Sequence, residues 1–76
     1  MKIHVRRRHI VRGKRGKSRK CPIALAVEEE TDCRPSVGTD HIWLNDEVHL
    51  LSRTAMRFIA RFDAGLPVKP FAFVLK

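Results

Sequence analysis

The first twenty residues carry ten basic side chains and no acidic one: Lys2, Arg6, Arg7, Arg8, Arg12, Lys14, Arg15, Lys17, Arg19 and Lys20. That segment bears +10, whereas residues 21–76 hold the other six basic residues against all eight acids and bear −2. A stretch this cationic repels itself unless an anionic partner neutralises it, which points to nucleic acid, an acidic protein surface or anionic lipid. The alternative is a solvated, partly disordered solubility tail. Either way the chain divides into a basic N-terminal arm over 1–20 and a single compact domain over 21–76. Because the apolar periodicity begins mainly after Lys20, the core is expected to survive removal of the arm.

A chain of 76 residues is long enough for one domain and too short for a deep cleft between two. With 43% hydrophobic and 32% charged residues it is expected to fold despite its net charge of +8. No stretch approaches the roughly 20 apolar residues that span a bilayer. The apolar run from Cys21 to Val27 is followed by Glu28, Glu29 and Glu30, which makes a poor signal peptide. The expected address is therefore cytoplasmic, without membrane association, and Cys21 and Cys33 are expected as free thiols.

Ile3 and Val5 alternate with Lys2 and His4, the pattern of a short strand. Gly13 and Gly16 interrupt the basic run, so residues 12–20 read as a loop able to follow a polyanion. Cys21 and Pro22 begin a helix whose residues Ile23 to Val27 are apolar almost all round, so it is expected to be buried. Glu28 to Glu30 fall near its C-terminal end, where the helix dipole disfavours anions; the helix is therefore short or its acids are paired.

From Arg34 the period changes to two, with strands around Val37, Ile42 to Leu44 and Val48 to Leu50 and a turn at Asn45, Asp46 and Glu47. A three-residue loop would pair Leu44 with Val48 and Ile42 with Leu50, collecting four apolar side chains on one face. Trp43 would then share the other face with His49. Ser52 or Thr54 caps a second helix, with Ala55, Phe58, Ile59 and Phe62 as its apolar stripe and Gly65 and Pro67 as its stop. Arg53, Arg57 and Arg61 recur every four residues on another side, a solvated face that joins a binding surface only if it is continuous with the arm. Phe71, Phe73 and Leu75 alternate with Ala72 and Val74 in a final strand, apolar on both faces and so expected inside the sheet.

Arg15-Gly16, Cys21-Pro22-Ile23-Ala24-Leu25-Ala26 and the run from Phe58 through Phe62-Asp63-Ala64-Gly65-Leu66-Pro67-Val68-Lys69-Pro70-Phe71-Ala72-Phe73 resemble a group of small uncharacterised phage and bacterial proteins. Their shared pattern is a Cys-Pro-Ile-Ala-Leu-Ala helix start and a Phe-Asp-x-Gly-x-Pro-Val-x-Pro-Phe-x-Phe ending. Members of the group often carry another cysteine three residues before the Cys-Pro pair, where this chain has Ser18. The resemblance implies a phage or bacterial setting and one domain, with no activity, substrate or catalytic residue attached. The turn chemistry of the ending reads as structural.

Zinc is not expected, because His4, His9, Cys21 and Cys33 lack the short Cys-x-x-Cys or His-x-x-x-His spacing of a metal site. Cys21 is expected to be buried at a helix start, a position that favours the thiolate. No nucleophile elbow, spaced acid pair or phosphate loop is present, and Gly13-Lys14-Arg15-Gly16-Lys17-Ser18 lacks the glycine-to-lysine spacing of the last. Neither an enzyme nor a cofactor is expected.

The architecture expected from these patterns is α+β: two helices packed on a small, mainly antiparallel sheet, preceded by the basic arm. The expected function is nucleic-acid binding, with Arg6, Arg7, Arg8, Arg12, Lys14, Arg15, Lys17, Arg19 and Lys20 on phosphates and Arg53, Arg57 and Arg61 as a secondary face. All four phenylalanines read as core, so base stacking is not expected. The alternative function is a small phage regulator or inhibitor that docks on an acidic host protein.

Overall fold

A computed structural model describes residues 1–75 as an α+β domain. In chain order the elements are β1 (Lys2–Val5), α1 (Arg7–Arg12), α2 (Pro22–Thr31), β2 (Ser36–Val37), β3 (His41–Leu44), β4 (Glu47–Leu50), α3 (Arg53–Asp63) and β5 (Phe71–Val74). They form two antiparallel sheets, β1-β5 and β2-β3-β4. The three helices exceed the expected two by α1, a six-residue segment too short and too cationic to be read from periodicity.

The helix starts follow local chemistry. Cys21 is the N-cap of α2, its Sγ accepting from Ala24 N at 3.4 Å, and Pro22 occupies the first turn, where its missing N–H has no partner to lose. Ser52 caps α3 by accepting from Ala55 N at 3.2 Å. Ile23, Ala24, Ala26 and Val27 of α2 are buried, and this helix packs against β1, α1 and β2. Ala55, Phe58 and Ile59 complete the core from α3.

Residues 1–20 are not an arm. Ile3 and Val5 are 0% and 1% exposed, because β1 pairs along its whole length with β5: Lys2 with Val74, Ile3 with Phe73, His4 with Ala72 and Val5 with Phe71. Met1 O accepts from Leu75 N at 2.8 Å and extends the pairing to the chain's ends. The Cα radius of gyration of 10.8 Å matches the ~11 Å of a compact chain of this length. The loop after α1 is also tied down. Lys14 N donates to Lys20 O at 2.9 Å and Val37 N to Ser18 O at 2.8 Å, and Gly13 lies so close under Pro22 that a Cβ there would sit 2.6 Å from its ring. β5 has one strand neighbour, so it borders a two-stranded sheet instead of lying inside a larger one, and Ala72 and Val74 face solvent.

The hairpin register also differs from expectation. Asn45 and Asp46 both take left-handed backbone angles, φ 51° and 63°, which make a two-residue primed turn. Leu44 therefore pairs with Glu47, Trp43 with Val48, Ile42 with His49 and His41 with Leu50. A one-residue shift moves every side chain of β4 to the other face. Ile42 and Leu44 stay buried, while Val48 and Leu50 join Trp43 on the exposed face.

His9 of α1 is buried against α2. Its Nδ1 accepts from Arg6 N at 2.9 Å, which restrains the first turn of α1, and Nε2 lies 3.3 Å from Glu29 Oε2 without completing a hydrogen bond. Arg8 grips the same carboxylate through Nη2 at 2.6 and 2.7 Å, and Arg34 lies 3.4 Å from Glu28. Glu28 and Glu29 at the end of α2 are thus paired, which offsets their unfavourable place on the helix dipole.

Because β1 is core, deletion of residues 1–20 abolishes the cooperative thermal transition, and Ile3→Ala alone lowers the unfolding free energy by about 2–5 kcal/mol in urea titrations. Burial of His9 outweighs the pull of Glu29 and lowers its pKa below the ordinary 6.5, so the native state binds fewer protons than the unfolded chain. Stability is retained above pH 6.5 and falls as the pH drops from there toward the folded value. The urea midpoint is accordingly lower at pH 5.5 than at 7.5, and His9→Gln shrinks that difference.

Candidate nucleic-acid interface

Pairing of β1 with β5 sets the cations of the N-terminal segment beside the stretch that leads from α3 into β5. Arg6 and Arg7 follow β1 directly and, with Pro70 and Phe71, line a recess of about 330 Å³. A second recess of about 270 Å³ shares Pro70 and Phe71 with the first and is bordered by Arg61, Lys69, Phe58 and Thr54. A third shares Pro67 and Val68 with the second and is bordered by Arg15, Ile10 and Phe62. The three recesses share residues of the 67–71 segment as a common wall, along which they form a shallow, interrupted groove. Arg6 and Arg7 line the first recess, Arg61 and Lys69 the second and Arg15 the third; among the described residues no acid lines any of them, and Pro67, Val68, Pro70 and Phe71 supply apolar wall.

One of the five is held in place by hydrogen bonds, and a second lies close to the helix stop. Arg61 donates from Nε and Nη2 to Pro67 O at 3.3 and 3.0 Å, which sets its guanidinium at the groove's edge. Arg15 lies against the helix stop, its Nη1 only 2.6 Å from where a Cβ on Gly65 would stand. Gly65 takes φ 78°, the left-handed conformation that ends α3, and this backbone favours glycine; the Arg15 side chain beside it could swing away from a Cβ. Arg6, Arg7 and Lys69 are exposed and make no ion pair among the described residues.

The structure sorts the sequence-derived candidates accordingly. Arg6, Arg7 and Arg15 meet at the groove, and Arg61 joins them from α3. Arg8 is held by Glu29 and is not available without breaking that pair. Arg19 and Lys20 border a different recess together with Glu28 and Arg34. Lys17 lines one beside Cys21 and Asp63. Arg12 and Lys14 are exposed outside the groove's lining, as are Arg53 and Arg57. The α3 row therefore meets the N-terminal cations at Arg61 alone. Lys69 was missed. It stands between Pro67 and Pro70 in a segment read only as a turn, and its place on the segment that the N-terminal cations approach is a tertiary effect.

Phenylalanine burial is also uneven. Phe58 and Phe73 are core, whereas Phe62 and Phe71 are only partly buried. Phe71 contacts Phe58 at 4.8 Å and Phe73 at 5.7 Å between ring centroids, and it borders both of the first two recesses.

No group of three or more His, Cys, Asp or Glu side chains among the described residues is placed to hold a metal ion. Both cysteines are free. Burial pushes the Cys21 thiol above its ordinary pKa, with Asp63 adding to the shift, so the helix start does not activate it. No helix among the described residues is long and apolar enough to cross a membrane. Comparison of the chain with protein-family models, curated proteins and solved structures gives no match.

The contrast between the two thiols is directly measurable: in the native protein at pH 8, Cys33 reacts with a soluble maleimide at least tenfold faster than Cys21. Denaturant equalises the two rates, as peptide mapping by mass spectrometry reports.

Proposed function

We propose that this protein binds nucleic acid through the groove between the N-terminal cations and the segment leading into β5. The observation that carries the reading is the run of cations itself: Arg6, Arg7, Arg15, Arg61 and Lys69 line three neighbouring recesses along residues 67–71, and among the described residues no acid lines them. Cations so arranged repel one another in the free protein, and a row of phosphates relieves that repulsion while releasing counterions. Such contacts supply affinity and position, without reading sequence. Lys14, Lys17, Arg19 and Lys20 add a diffuse field that attracts the polyanion from beyond the groove. Arg8 is assigned to the fold. The role is binding, with no catalytic step. The proposed setting, a phage or bacterial cytoplasm, rests on the resemblance of the Cys-Pro start and the Phe-Asp-x-Gly-x-Pro ending.

Affinity for DNA or RNA therefore falls steeply with salt, with a logarithmic slope of about −4 to −5 on duplex if all five rim cations meet phosphates. Replacing Arg6, Arg7 and Lys69 together by glutamine flattens the slope by about 2 to 3. The triple replacement of Lys20, Arg53 and Arg57 removes the same charge and flattens it by less than 1. If no DNA or RNA binds at low salt, the reading is wrong and an acidic protein surface becomes the partner to seek.

A further inference from the structure

Resting on that reading, we infer that the groove's occupant is a single strand of nucleic acid, with one unstacked base seated against Phe71 and its flanking phosphates held by Arg6 and Arg7 on one side and Arg61 and Lys69 on the other. The argument begins with the floor. A surface meant only for duplex phosphates needs cations and hydrogen-bond donors, and an apolar floor between them contributes nothing. Duplex DNA keeps its bases stacked inside and offers a convex wall of phosphate and sugar, which would bridge the rim and leave the recess filled with water. An unpaired nucleotide instead presents a flat apolar face beside each phosphate. That alternation matches an aromatic floor with a cationic rim, the pattern by which single strands are held.

Phe71 is where this match is closest. It is the first residue of β5, facing the core side of the strand with Phe73, yet the sheet ends there and its ring stays partly open. Phe58 supports it at 4.8 Å, so the ring does not need to be ordered when a ligand arrives. Pro70 precedes it and extends the apolar surface. The recess of about 270 Å³ lies below the range of drug-sized ligand pockets and suits a single ring system. Arg61, anchored on Pro67 O, presents the rest of its guanidinium without first losing side-chain freedom. Single-stranded DNA and RNA share this chemistry; they differ in the 2′-hydroxyl and in the 5-methyl group of thymine.

Fluorescence anisotropy with labelled oligo-dT, oligo-U and a duplex of about 12 units, at one salt concentration, tests the inference. The expected result is a preference of tenfold or more for at least one single strand over duplex, reduced about tenfold by Phe71→Leu, which keeps an apolar side chain under Phe58 but removes the flat ring. A ratio of oligo-dT to oligo-U near one assigns the ligand as either single strand, and a strong bias identifies which. Should Phe71→Leu fail to fold, Phe71→Trp in a Trp43→Phe background gives a second readout, its emission quenched by the preferred single strand and unaffected by duplex. Equal affinity for duplex and single strands, an unchanged preference in Phe71→Leu, or no quenching would overturn the single-strand assignment while leaving nucleic-acid binding intact. Absence of binding to all three probes removes both.

Discussion

The antiparallel pairing of β1 with β5 joins residues 2–5 to residues 71–74, and most of the molecule depends on it. Ile3 and Val5 reach the core through this pairing, and α2 is covered on one side because β1 lies across it. The same pairing carries Arg6 and Arg7 to Pro70 and Phe71 across more than sixty residues of sequence. Bringing chain ends together sacrifices loop entropy, which grows only slowly with loop length, and the buried apolar area of two strands and their neighbours more than offsets it. Without the pairing there is neither a closed core nor a groove.

Joining the ends also forces a segment of ten cations onto the surface of a small domain. The fold neutralises part of that charge itself. Glu29 takes Arg8 in a two-pronged pair, and Glu28 lies beside Arg34, so the acids that crowd the end of α2 are compensated from other elements. The Arg8 pair holds the Glu29 carboxyl below its ordinary pKa, and burial lowers that of the neighbouring His9. The remaining N-terminal cations face solvent. Their mutual repulsion is the physical link between fold and proposed function, since a polyanion that relieves it binds and stabilises in the same act.

Apolar surface is divided as unevenly as charge. The primed turn at Asn45-Asp46 sends Val48 and Leu50 outward beside Trp43, at 50%, 78% and 50% exposure, while the core is closed by residues from the other sheet and the helices. A domain of this size cannot cover both faces of a three-stranded sheet. Phe71 is left partly open for a related reason: its strand begins at the edge of a two-stranded sheet, where the inner face runs out of neighbours.

Local chemistry alone determined much of this protein. Cys21-Pro22 and Ser52 start helices because a cap and a fitting first turn are short-range effects, the stripe of Ala55, Phe58 and Ile59 buries one face of α3, and the alternation at Lys2–Val5 and Phe71–Val74 makes strands. The segregation of charge was equally legible. Tertiary structure decided which elements meet. Nothing in the alternation of Ile3 and Val5 names Phe71 and Phe73 as partners, so residues read as a mobile arm became core. The four-residue spacing of Arg53, Arg57 and Arg61 could not single out Arg61, nor could Lys69 be placed on the segment that Arg6 and Arg7 approach. In the hairpin, backbone angles at two residues overrode the apolar alternation of β4. The common reason is range. Capping and periodicity act over a few residues, whereas the register of the joined ends and the groove they enclose depend on contacts between segments that only the folded chain brings together.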